Sequence, residues 1–287
     1  MTSISAFQLL ACPLDGAPLQ RSGATWRCAA GHCFDIASQG YSNLLPVHKK
    51  RSLDPGDSKA MVAARRRFLA AGHYQPIAEA VSRALFDAWP AHQPLAVLDA
   101  GCGEGYYLRE LARAAGKNET PLTLLGLDIS KAAILAAAKL DKSANWVVAS
   151  NANLPVQSAT LDRLLCLFGF PVYREFARVL KPAGSLLQVD AGADHLRELR
   201  EIIYPRLKTE GAARVPSADG FELLRSETLR STLELGSQTE IADLLAMTPH
   251  LYRASTDGRA RAAALKRLTL TVEIRLTRFG LASASHP

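Results

Sequence analysis

No apolar run in this 287-residue chain reaches membrane-spanning length, so no bilayer span is expected. The stretch Met1-Thr2-Ser3-Ile4-Ser5 lacks the positive charge that opens a secretory leader, and the cytoplasm is the expected compartment. Cysteine is scarce: five residues, an odd number, are divided between the head of the chain and the region from Cys102 to Cys166. That is no disulfide framework. Internal repeats and low-complexity tracts are also missing, which argues against a solenoid or an array. The length is more than one ordinary domain needs and short of two, and predicts one main domain with a small addition. What the chain has in excess is positive charge. Thirty-four Lys and Arg against 27 Asp and Glu leave a formal net charge of +7, which suits a polyanionic partner.

The most informative stretch is Val97-Leu98-Asp99-Ala100-Gly101-Cys102-Gly103-Glu104-Gly105-Tyr106, an apolar strand running into a D-x-G-x-G-x-G turn. Glycines at 101, 103 and 105 remove three Cβ atoms at a strand's carboxyl end, so that a ligand can lie against bare backbone. A dinucleotide fingerprint would need G-x-G-x-x-G; position 106 is Tyr and the third glycine comes one residue early. The next strand, Thr123 to Asp128, ends in a second acid 29 residues after Asp99. The pair resembles the S-adenosylmethionine site of class I methyltransferases. That likeness implies Asp99 and Glu104 near the cofactor's amino group and Asp128 on its ribose hydroxyls.

The remaining order is β/α alternation. Lys59 to Ala71 is helix-like, and Ile77, Val81 and Leu85 place an apolar stripe on the following helix. Ser130 caps a helix over Lys131 to Leu140, and strands are expected over Asn145 to Ala149 and Leu161 to Phe168. A helix carrying Val172, Phe176, Val179 and Leu180 should end at Lys181-Pro182-Ala183-Gly184, before a strand over Ser185 to Val189. Strict alternation at Leu268, Leu270, Val272, Ile274 and Leu276 predicts a half-buried strand in an antiparallel edge.

Upstream, Cys12-Pro13-Leu14-Asp15 and Cys28-Ala29-Ala30-Gly31-His32-Cys33 form a pair of knuckles around Trp26. Structural zinc takes four N, O or S ligands from two such turns, so Cys12, Asp15, Cys28 and His32 are candidates, with Cys33 a possible substitute. The alternative is a module that has lost its metal and folds on its neighbour. Between Val47 and Arg67, Lys49, Lys50, Arg51, Lys59, Arg65, Arg66 and Arg67 outnumber Asp54 and Asp57. This stretch, with the turn Asp54-Pro55-Gly56-Asp57-Ser58, reads either as a phosphate-contacting hinge or as a solvated linker.

Together with Gly40 to Val47, Lys50 to Ser58, Gly72-His73-Tyr74-Gln75-Pro76 and Met247-Thr248-Pro249, these motifs resemble the bacterial 23S rRNA guanine-N1 methyltransferases of the RlmA type. The likeness runs through nearly the whole chain. It implies an α/β fold, a Rossmann-like doubly wound class I methyltransferase sheet with a small N-terminal zinc-ribbon-like module. It also implies three parts: an RNA-recognition module over 1–46, a basic linker over 47–60 and the methyltransferase domain over 61–287. The implied cofactor is S-adenosylmethionine, held by Tyr74, Asp99, Gly101, Gly103, Glu104, Asp128, Ser150 and Asn151. The implied partners are a 23S rRNA hairpin and a second copy of the chain. Two features depart from the family pattern: Asp15 stands where a cysteine is usual, and Phe168-Gly169-Phe170-Pro171 replaces an A-P-centred loop. Either the two phenylalanines stack on a flipped base or they belong to the core. The target nitrogen carries a proton; Asp190 and His195 are the candidates to take it, each with a structural alternative as helix cap or satisfied core histidine. A small-molecule methyltransferase derived from the family, and a non-catalytic cofactor-binding protein, are the competing readings.

Overall fold

Apolar runs bounded by turn residues become parallel strands where both of their faces are covered, and residues 95–191 fold on that rule. The structure, a computed structural model, describes residues 3–47, 52, 54–206 and 218–282. In chain order its elements are β1 (Ile4–Ala6), β2 (Gln20–Ser22), β3 (Thr25–Arg27), β4 (Cys33–Asp35), β5 (Tyr41–Asn43), α1 (Lys59–Ala70), α2 (Gln75–Phe86), β6 (Leu95–Ala100), α3 (Tyr106–Lys117), β7 (Leu122–Asp128), α4 (Lys131–Leu140), β8 (Asn145–Val148), β9 (Leu161–Leu167), α5 (Tyr173–Val179), β10 (Leu180–Ala191), α6 (Arg197–Ile203), β11 (Phe221–Leu235), α7 (Gln238–Met247), α8 (His250–Arg253), α9 (Thr256–Ala263) and β12 (Leu268–Leu281).

The main sheet runs β11-β12-β10-β9-β6-β7-β8-β5, with β12 antiparallel to both neighbours and the strands from β10 to β5 parallel. Side chains alternate across it between two cores. Leu122 and Leu124 of β7 pack on the side of α2, α3 and α4, with Ile77, Val81, Leu108 and Ile134. Leu125 and Leu127 face the other way, toward Phe176 of α5 and toward Phe7, Leu10 and Trp26. The head of the chain therefore covers part of one sheet face.

It also supplies strands. β1 pairs with the first half of β7 (Ile4↔Leu122 to Ala6↔Leu124), and β8 pairs with the second half (Leu125↔Asn145 to Asp128↔Val148), so the two share one track. β5 then extends the sheet beyond β8. Only β2, β3 and β4 form a sheet of their own, and Trp26 Nε1 donates across to Ser42 Oγ at 3.1 Å. Residues 1–46 thus enter the main sheet at two places.

Two local expectations need correction. Leu180 lies in β10 rather than in the preceding helix, and Lys181-Pro182-Ala183-Gly184 is an irregularity inside that strand, between Leu180↔Leu161 and Ser185↔Arg163. Gly105 serves packing: a Cβ there would lie 2.4 Å from the Trp146 ring. Of the basic hinge, Lys49, Lys50 and Arg51 lie outside the described residues.

Candidate active site and metal cluster

The site lies at the carboxyl ends of β6, β7 and β9, where parallel sheets of this kind bind ligands. After Ala100 the backbone turns through Gly101 (φ +103°) and Gly103 (φ +56°), conformations that only glycine adopts cheaply. Leu127 O accepts from both Gly101 N (2.8 Å) and Cys102 N (2.9 Å), which fastens the turn to β7. Asp128 tightens it further: Oδ2 accepts from Gly103 N at 2.9 Å and Oδ1 from Ser130 N at 2.8 Å. A Cβ on Gly101 would meet no atom within 4 Å, so the turn borders open space.

Two carboxylates beside that space are short of donors. Asp99 is 1% exposed and neither of its oxygens has a partner; Glu104 gives Oε2 to Arg109 Nη2 at 2.7 Å and leaves Oε1 unpaired. Burial pushes Asp99 up to about 8, and the negative charge of Asp128 adds to the rise. Buried polar atoms are almost always satisfied, so a buried carboxylate without a donor calls for a cation or a donor from outside the chain.

Three rings from different elements meet in one cluster. Tyr74, buried at the start of α2, Phe168, directly after β9, and His195, before α6, have centroids 5.9 to 6.4 Å apart. Tyr74 Oη and His195 Nε2 are 3.4 Å apart. Burial lowers His195 to about 4, so its ring is neutral at pH 7. Phe168 holds a positive φ of 54° and is 40% exposed, and Phe170 is 89% exposed. Neither is core, which leaves the stacking alternative standing. Asn151 Nδ2 donates to Phe170 O at 3.2 Å and steadies the loop, while Ser150 Oγ accepts from Ala152 N at 3.2 Å. Asp190 is turned to Gln188, whose Nε2 donates to it at 2.9 Å, and burial raises its pKa.

In the head, Cys12, Asp15, Cys28 and His32 present ligand atoms that all lie within 4.8 Å of one another. His32 Nδ1 is 3.0 Å from Asp15 Oδ2, 3.4 Å from Cys28 Sγ and 3.5 Å from Cys12 Sγ. Tetrahedral zinc with bonds of about 2.0 to 2.3 Å sets ligand separations of roughly 3.3 to 3.8 Å, so the four residues fit that ion. The knuckles are built alike: Gly16 N donates to Cys12 O and Gly31 N to Cys28 O, each glycine at positive φ. Cys33 is exposed and outside the cluster.

Comparison with known proteins decides the relationship. The profile of the RlmA N-terminal zinc ribbon matches residues 10–53, and that of a methyltransferase domain matches residues 97–184. The 23S rRNA (guanine(748)-N(1))-methyltransferase of Streptomyces fradiae is 36% identical over 277 residues, which are 94% of this chain and 96% of the relative. A protein of Micromonospora griseorubida named for a 23S rRNA (guanine-N(1)-)-methyltransferase is 37% identical, at 94% and 96% coverage. One of Bacillus subtilis, named likewise, is 30% identical at 93% and 95%. The chain belongs to the 23S rRNA (guanine-N1)-methyltransferase family.

It is a methyltransferase, and S-adenosylmethionine is the cofactor of its fold. The site suits that ligand, since its glycines leave the backbone bare and its unpaired carboxylates could receive a cationic group. By sequence, Arg65 of this methyltransferase is one base among those of the hinge. The structure puts it at the glycine turn, where a Cβ on Gly103 would be 3.5 Å from Arg65 Nη1. Nothing in its local pattern separates it from Arg66 and Arg67; only the packing of α1 does. Among the described residues no helix is long and apolar enough to cross a membrane.

Proposed function

We propose that this methyltransferase transfers the methyl group of S-adenosylmethionine to N1 of a guanine in a 23S rRNA hairpin, acting as a homodimer. The observation that carries the reading is the half-exposed ring of Phe168, set against neutral His195 and Tyr74 next to the glycine turn. A flat base turned out of an RNA hairpin finds there an aromatic face, with Phe170 available at the rim. The head supports the same reading, because it matches the RlmA zinc-ribbon profile over residues 10–53 and the relatives named for rRNA are matched over 94% of this chain.

The bound cofactor supplies an electrophilic methyl on a cationic sulfur, and displacement removes that charge. The chain supplies alignment and exclusion of water. In this reading Asp99 and Glu104 accept from the cofactor's amino group, and Gly101 and Gly103 keep the backbone bare. Each Asp128 oxygen, after its one backbone donor, has a lone pair left for a ribose hydroxyl. Tyr74, Ser150 and Asn151 border the rest. His195, held near 4 by burial, is a weak proton acceptor, and Asp190 is engaged by Gln188; we assign His195 to the wall of the base pocket. Cys12, Asp15, Cys28 and His32 would hold a structural zinc ion, which would supply a tetrahedral crosslink between the two knuckles.

Primer extension across 23S rRNA from a deletion strain tests the proposal, since a methyl at N1 blocks the pairing edge. A stop present in the parent should vanish on deletion and return with the wild-type gene. Identical extension profiles in both strains would overturn it.

A further inference from the structure

Three consecutive arginines in α1 have identical chemistry and different surroundings, because a helix turns each residue about 100° from the last. Arg67 reaches α7, where Nε and Nη2 donate to the Asp243 carboxylate at 2.9 and 2.6 Å. Arg66 is exposed, with no ion-pair partner among the described residues. Arg65 turns to the cofactor side. Its Nη1 pairs with the Asp57 carboxylate, and its Nη2 donates to Met247 O at 3.1 Å. The pairing draws the 54–58 turn across the edge of the site: Ser130 Oγ donates to Asp57 O at 2.7 Å, and a Cβ on Gly56 would lie 2.9 Å from Ser130 Cβ. Arg65 thus stands between the glycine turn and the residues beside Asp128.

The amino-acid end of S-adenosylmethionine carries an ammonium and a carboxylate. The unpaired groups beside the turn, Asp99 and Glu104 Oε1, suit the first and repel the second. A carboxylate leaving water needs a fixed cation, and a guanidinium fork is the best geometric match. Arg109 is already committed, since Nη1 and Nη2 donate to the backbone and side chain of Glu104 at 2.6 and 2.7 Å. Arg65 is a quarter exposed, lies against Gly103 and keeps N–H donors beyond the two it has used.

We propose that Arg65 binds the carboxylate of the cofactor's methionyl group, with Asp57 as the residue that positions it. The proposal rests on the cofactor reading and goes further, by making the basic hinge part of the cofactor site.

Calorimetric titration with S-adenosylmethionine, S-adenosylhomocysteine and decarboxylated S-adenosylmethionine, which lacks only the carboxylate, tests it. Arg65→Ala should weaken the first two roughly 10- to 100-fold, the loss of a charged hydrogen-bonded pair, and leave the third unchanged. Arg65→Lys should fall between. Asp57→Asn, which leaves the guanidinium in place, should show a smaller loss with the same ligand selectivity; it also serves if Arg65→Ala does not fold. Unchanged affinity for S-adenosylmethionine would overturn the proposal. An equal loss for all three ligands at an unchanged melting temperature would do so too, since Arg65 would then shape the pocket without touching the carboxylate. Wild-type protein that binds none of the three would instead overturn the cofactor reading beneath it.

Discussion

At the scale of single residues, Asp99 makes the sharpest claim. Because burial holds its pKa at about 8, the group is mostly protonated at pH 7 in the ligand-free protein. A cationic ligand favours the ionised form and draws the pKa down, so binding at pH 7 should release close to one proton, and almost none above about pH 9. Calorimetry in buffers of different ionisation enthalpy reads this directly; proton uptake would contradict it. The folded-state pKa lies above the unfolded value. Protonated Asp99 therefore favours the fold below about pH 4, and that contribution is lost as the pH rises toward 8. Asp99→Asn should flatten that slope in urea titrations. The glycines divide in a similar way. Gly105→Ala should cost roughly 2–4 kcal/mol, since its Cβ enters the Trp146 ring at a residue with φ of +80°. Gly101→Ala meets no neighbour and carries the backbone penalty alone, so its larger effect should be on cofactor affinity.

At the scale of elements, the head is where metal and packing act together. If zinc holds the knuckles, elemental analysis should find about one equivalent per chain, and Cys28→Ser should release it. Hydrogen exchange should then quicken over residues 10–36, while β1 and β5, paired to β7 and β8, keep most of their protection. Metal-free protein with a fully protected head would refute the ion. The sequence showed much of this region and missed its most consequential part. The knuckles, the Ser130 cap and the fully buried β9 are legible because each follows from a local pattern. The three-residue strands β1 and β5 are not, since their only strand-like property is a partner about a hundred positions away. The long edge strand β11 escapes for another reason: most of its side chains are exposed, so no hydrophobic period marks it. The site shows the same division. Asp99, Gly101, Gly103 and Asp128 were readable from their spacing; Phe168 was readable only as either a stacking ring or core, and Arg65 not at all, because tertiary contacts alone set which way they point.

At the scale of the whole molecule, excess positive charge should be felt by RNA, though not through every basic residue. Replacing Lys49, Lys50, Arg51 and Arg66 by Ala should weaken binding to an rRNA hairpin and lower its salt slope by at most roughly one unit per lost phosphate contact. Arg67→Ala should leave that slope alone and lower the melting temperature, because it strands the buried Asp243 carboxylate. An unchanged slope in the first variant would make the stretch a solvated linker. The shared track on β7 governs the order of synthesis as well. Ser5 Oγ meets Thr123 Oγ1 across 118 positions, and β5 waits for β8, so the head leaves the ribosome well before the strands it pairs with. Nascent chains arrested before residue 122 should show a protease-sensitive head with Phe7 and Leu10 uncovered, and full-length chains a resistant one. A head expressed alone would carry the same bare surface permanently, and should aggregate even when supplied with zinc.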